Sequence, residues 1–135
     1  MEWETTPHAG GSATPRDDLA TEARPCTPSD VQIAADLLRD ARDVTLVAHV
    51  HPDADALGSA LALGLVLHRR GARVRVTFAE PAEVPESLQG LDVAGLLAEP
   101  AEVPDAPELL VALDTAGPGR LGSLAGRLAP RALCW

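Results

Sequence analysis

Apolar residues in this chain come in blocks whose period changes from one block to the next. Residues 1–28 are polar and rich in Thr, Pro and Gly, with almost no apolar period, and we read them as a disordered tail. Val31, Ala34, Ala35, Leu37 and Leu38 then share one helical face. Ser29 and Asp30 are suitable caps, so the spacing predicts a helix from there to about Arg42. Val44-Thr45-Leu46-Val47-Ala48 is a short β-rich run, apolar enough for a central parallel strand buried on both faces. A second helix is expected from about Ala56 to Arg70, apolar almost all round, with Gly71 placed to end it. Arg73 to Ala79 alternates as a strand with one wetter face, which makes Arg73 and Arg75 solvent-facing. Ser87 to Leu97 reads as partly helical, Glu108 to Leu113 as a third strand, and Thr115 to Gly119 as a turn. A short helix follows over Arg120 to Leu128, and Arg131 to Trp135 starts a fourth strand. Strand, helix, strand implies a right-handed crossover and a parallel sheet. The fold class is α/β, a doubly wound, Rossmann-like parallel sheet, with residues 29–135 forming its N-terminal part.

Composition narrows the function classes. With 135 residues the chain suits one domain. A net charge of -9 argues against a basic nucleic-acid-binding surface. Metal ions could still supply local positive charge for a short anionic substrate. From Glu80 to Glu108 there are eight acidic residues and no basic one. Within that stretch Ala-Glu-Pro-Ala-Glu-Val-Pro occurs at 79–85 and again at 98–104, which we read as two loops. Every basic residue is arginine, a bias expected of GC-rich bacterial coding DNA. Cys26 and Cys134 have no metal-type spacing. No leader is visible, and the longest apolar run, 56–67, falls short of the roughly 20 residues a bilayer span needs. A cytoplasmic protein without membrane association is expected.

The chemistry concentrates between the first strand and second helix. His49, His51, Asp53 and Asp55 lie within seven residues, where open α/β sheets place their sites. Imidazole and carboxylate are ligands for divalent metals, and this spacing can serve two ions about 3.5 to 4 Å apart. The helix N-terminus favours phosphate, and Gly58 and Ser59 are small enough for one to approach. Structural roles compete with each assignment. Asp55 could simply cap the helix, Asp53 the turn, and His51 could be a ligand, a substrate contact or a packed loop residue. Asp114 ends the third strand and would stand beside this loop if the strands are neighbours; its competing role is turn formation. Arg120 could bind phosphate or be merely solvated. His68, at a helix end, is taken as structural.

His49-Val50-His51-Pro52-Asp53-Ala54-Asp55-Ala56-Leu57-Gly58-Ser59 resembles the first motif of the DHH phosphoesterase superfamily. Its closest form is in the branch of bifunctional oligoribonucleases (nanoRNases) that also dephosphorylate 3′-phosphoadenosine 5′-phosphate, pAp. Val111-Ala112-Leu113-Asp114-Thr115, followed by Arg120-Leu121-Gly122, resembles the second motif. The resemblance implies two Mn²⁺ ions, one held by His49 and Asp53 and the other by Asp55, with Asp114 bridging. Asp53, Asp55 and Asp114 would then be the catalytic carboxylates, with His51, Gly58, Ser59 and Arg120 toward substrate. The implied reaction is attack of a metal-bridging hydroxide on a phosphoester of a short single-stranded oligoribonucleotide or of pAp, in a chain that could form a homodimer. The family's Asp-His-His motif is expected on the strand beginning near Leu133, and the chain ends at Trp135. A truncated form with little activity is therefore expected, with an exposed sheet edge.

Two other function classes compete. His49-x-His51 after a strand also opens amidohydrolase-like barrels, but these need about 250 residues. Pyrophosphatase or exopolyphosphatase activity would keep the superfamily and change the substrate. A non-catalytic metal- or nucleotide-binding fragment is the alternative outside catalysis.

Overall fold

The computed structural model describes residues 25–127 and the strand at 132–134, so most of the expected tail lies outside the described residues. Helix α1 spans Pro28–Asp40. Its cap is Thr27, not Ser29 or Asp30. The Thr27 hydroxyl accepts from the Asp30 N–H, and the Asp30 carboxylate accepts from the Thr27 N–H at 2.9 Å. This reciprocal pair, with Pro28 in the first turn, starts the helix two residues earlier than the apolar pattern suggests.

Strands β1 (Asp43–Ala48), β2 (Arg73–Thr77), β3 (Leu109–Leu113) and β4 (Ala132–Cys134) form one parallel sheet in the order β2-β1-β3-β4. The α/β class and parallel sheet follow the expectation. β4 pairs with β3 over three residues and is the last strand on that side of the sheet. On the other side β2 is extended by a parallel bridge from Val76 to Leu97. The two copies of the repeated phrase leave that bridge side by side and line one cleft with Phe78. The second copy closes a 3-10 turn at Pro100–Glu102.

Helix α2 (Ala54–Arg69) connects β1 to β2, and Gly71 at φ 93° ends its last turn. Its Ala56, Leu57, Ala60, Leu61 and Leu67 pack with Val44, Leu46, Val76 and Val111 in the larger core. Gly64 brings α2 close to the sheet, since a Cβ there would lie 3.2 to 3.3 Å from Leu96, Val76 and Leu46. The opposite face is covered differently. Val47, Leu110 and Ala112 pack under Val103, Leu121 and Leu124, which come from loops and 3-10 turns. The helix expected over Arg120 to Leu128 is instead a 3-10 segment, Pro118–Arg127, broken at Gly122 (φ 56°, ψ -134°).

Arg75 also departs from expectation. It is largely buried and donates to both Asp43 oxygens, at 2.5 and 3.2 Å, which raises its already high pKa. Among the described residues no helix is long and apolar enough to cross a membrane.

Candidate metal centre

β1 and β3 are neighbours, but the chain leaves β1 for β2 on one side and returns to β3 on the other. The carboxyl ends of these two strands therefore flank a topological switch point, where open α/β sheets leave a crevice. His49 follows β1 directly and Asp114 follows β3 directly. Their last strand residues, Ala48 and Leu113, are register partners, so both side chains leave the sheet at the same level. Asp53 reaches the same point from the start of α2. His49 Nε2 lies 3.7 Å from Asp114 Oδ2 and 3.9 Å from Asp53 Oδ1, and one ligand atom from each residue falls within 4.8 Å of the others.

The histidine is oriented by its own backbone. His49 is only 5% exposed, and its Nδ1 lies 2.7 Å from the Val50 carbonyl oxygen. A carbonyl can only accept, so Nδ1 carries the hydrogen, and in the neutral ring Nε2 presents a lone pair to the two carboxylates. Three electron-rich atoms thus converge at distances too long for direct hydrogen bonds. Such a set is satisfied by a cation between them. The mixed imidazole and carboxylate donors suit a first-row divalent ion, and the Nδ1–H to carbonyl bond is the usual way a ligating histidine is fixed.

Asp53 serves two purposes at once. It is the N-cap of α2, its Oδ1 accepting from the Ala56 N–H at 2.8 Å. That bond holds its carboxyl below the ordinary carboxylate range, and nearby His49 acts in the same direction. Capping and clustering were weighed as competing roles for this aspartate; the geometry contains both. Asp55, the other cap candidate, instead sits exposed in the first turn, outside the group of three. His51 is exposed at φ 52°, its N–H donating to the Glu80 carbonyl at 2.7 Å. Asp114 also has φ 52°. These two are the non-glycine residues at positive φ among the described residues, and backbone strain of that kind gathers at functional sites.

The remaining expected contacts are less direct. Gly58 lines an apolar groove with Leu61, Leu91 and Val93 on the side of α2 that faces the 86–96 segment, and Ser59 is exposed. Arg120 has an exposed side chain and enters the site through its backbone, its carbonyl accepting from the Val50 N–H at 2.8 Å. Sequence reasoning missed Val50 and Gly122. A Cβ on Gly122 would lie 2.9 Å from Val50 Cγ1 and 3.0 Å from Ala79 Cβ. Two signals pointed to Gly122: its place in the Arg120-Leu121-Gly122 stretch and an isolated glycine inside an otherwise helical pattern.

Fold and site together define a parallel α/β domain with a candidate divalent-metal centre at its switch point. No family model matches the chain. Among solved structures it is similar to an exopolyphosphatase-related protein from Bacteroides fragilis, with a TM-score of 0.69 and 19% identity over 80% of this chain. At that identity the likeness concerns the fold. The match covers 34% of the Bacteroides protein, so this chain spans about a third of its length.

Proposed function

We propose that this chain carries the first metal-binding half of a DHH-type phosphoesterase site. The convergence of His49, Asp53 and Asp114 at the β1/β3 switch point is the observation that carries this reading. The motif likeness around His49 to Ser59 and the fold likeness to an exopolyphosphatase-related protein support it. A divalent ion bound there would supply a water of lowered pKa and polarise a phosphoryl oxygen. The chain's own residues do the rest. His49 and Asp114 would hold the ion from the ends of two adjacent strands, and Asp53 from a helix start whose N–H groups favour phosphate. Within the class, the motif favours Mn²⁺ and short oligoribonucleotides or pAp. The Bacteroides neighbour favours polyphosphate as the second reading.

The described residues bring three ligand atoms to one position, whereas a second ion would draw on Asp55 and a shared Asp114. The 135-residue chain by itself is therefore expected to bind Mn²⁺ and turn over little. Calorimetry with Mn²⁺, followed by a panel of diribonucleotide, pAp, pyrophosphate and polyphosphate, tests this. Saturable binding lost in His49→Ala supports the site. No binding at millimolar metal would refute it, and fast cleavage of any substrate, abolished by Asp53→Ala, would refute the expectation of low turnover.

A further inference from the structure

We propose that Gly122 is a positioning residue for the metal centre, acting through the two peptides that flank Val50. The inference deepens the reading above and rests on it. The Val50 peptide groups are bonded on both sides. The Val50 N–H donates to the Arg120 carbonyl at 2.8 Å, and the Val50 carbonyl accepts from His49 Nδ1 at 2.7 Å. The orientation of the imidazole is thus tied, through one residue, to the segment that follows β3. That segment begins with Asp114, the ligand His49 faces at 3.7 Å. One stretch of chain therefore both delivers a carboxylate and aims the histidine opposite it.

Gly122 allows this stretch to lie where it does. Its φ of 56° and ψ of -134° are outside the regions that L side chains occupy readily. A Cβ would stand 2.9 Å from Val50 Cγ1, closer than real Cβ atoms pack, and 3.0 Å from Ala79 Cβ, a tight contact. Any larger residue forces a shift here, of Val50, of Ala79 or of the 120–122 segment. The bond most exposed to that displacement is the one from the Val50 N–H to the Arg120 carbonyl. That bond holds the 49–50 peptide. The next peptide, which carries the Val50 carbonyl, is held by the His51 N–H donating to the Glu80 carbonyl at 2.7 Å, one residue from Ala79. A Cβ that displaces both Val50 and Ala79 therefore loosens both peptides, and the Nδ1–H of His49 loses its acceptor. A ligating histidine without that acceptor loses both its orientation and its fixed tautomer.

Gly122→Ala, compared with Leu124→Ala, separates positioning from stability. Leu124 is 3% exposed in the same segment and packs in the second core without touching this chain of bonds. Three readouts are taken at one fixed pH: the melting temperature without metal, the Mn²⁺ dissociation constant, and the ring ¹⁵N shifts of His49 in the metal-free protein. Gly122→Ala should weaken Mn²⁺ binding roughly 10- to 100-fold, as loss of outer ligand support does, and shift His49 away from the Nδ1–H tautomer. Leu124→Ala should lower the melting temperature with little change in either. Adding Val50→Ala to Gly122→Ala removes one clashing atom and should recover part of the affinity. Equal loss of affinity in both single variants, or none in Gly122→Ala, overturns the proposal. If Gly122→Ala does not fold, the unaltered protein decides: a protected Val50 amide with an Nδ1–H tautomer supports it, and an Nε2–H tautomer or a freely exchanging Val50 amide overturns it. A protein that binds no Mn²⁺ at all would fail the functional reading, while the tautomer and amide measurements would still judge this one.

Discussion

Asp114 shows how much one residue can be asked to do. As a non-glycine residue at φ 52° it occupies a conformation that aspartate tolerates better than most but that still costs free energy. Asp114→Gly removes that cost along with the carboxylate. The variant should melt no lower than the parent in the absence of metal, yet lose the rise in melting temperature expected of the parent on adding Mn²⁺; a thermal shift assay with and without metal reads both. Asp53 predicts a pH effect of definite sign. Its folded pKa is depressed by the Ala56 N–H, so its stabilising contribution is present above the unfolded carboxylate pKa and is lost as pH falls through the lower, folded value. Metal-free urea midpoints should fall more steeply below about pH 4 for the parent than for Asp53→Asn, whose amide caps without titrating. Parallel midpoints would contradict the assignment. At this scale His49, Asp53 and Asp114 were legible because their chemistry stands at two strand ends and a helix start. Val50 and Gly122 lie within the two motif-like stretches, but their parts were not legible, because what they contribute is a peptide group and the absence of a Cβ, which a motif does not spell out.

Among the elements, the strands and α2 were read nearly to their ends because each is a dense apolar block bounded by polar residues. The start of α1 was misread for an identifiable reason. Thr27 and Pro28 stand in a Pro-rich polar stretch that resembles a tail, although Thr-x-x-Asp is also a capping pattern. The cap predicts that Thr27→Ala destabilises the domain by about 1 kcal/mol, measured as a shift in urea midpoint at constant slope. No shift would mean that α1 frays independently of the domain. The 118–127 segment was misread in the opposite direction, as continuous helix, because its apolar spacing is helical while Gly122 breaks the backbone. The break lets Leu121 and Leu124 reach the sheet as Arg120 turns its carbonyl to Val50.

For the molecule as a whole, the order β2-β1-β3-β4 makes the site, since it sets the ends of β1 and β3 side by side. Sequence pattern predicted parallel strands through the crossover rule; the adjacency of β1 and β3 had only been a condition placed on Asp114. The sheet also has a property that its side chains alone do not determine. β3 is Leu-Leu-Val-Ala-Leu, buried along its whole length and apolar on both faces. A slide by one residue against β1 would keep apolar side chains on both faces, although it would exchange Leu109, Val111 and Leu113 with the smaller set Leu110 and Ala112 and pull Glu108 from the Arg42 and Asp43 N–H groups. It would not be silent at the rim, because Asp114 would then leave on the far face and the three ligand atoms would no longer meet. Cation affinity is therefore a gauge of strand alignment, and a bound ion would act as a further pin on the register that packing and Glu108 already favour.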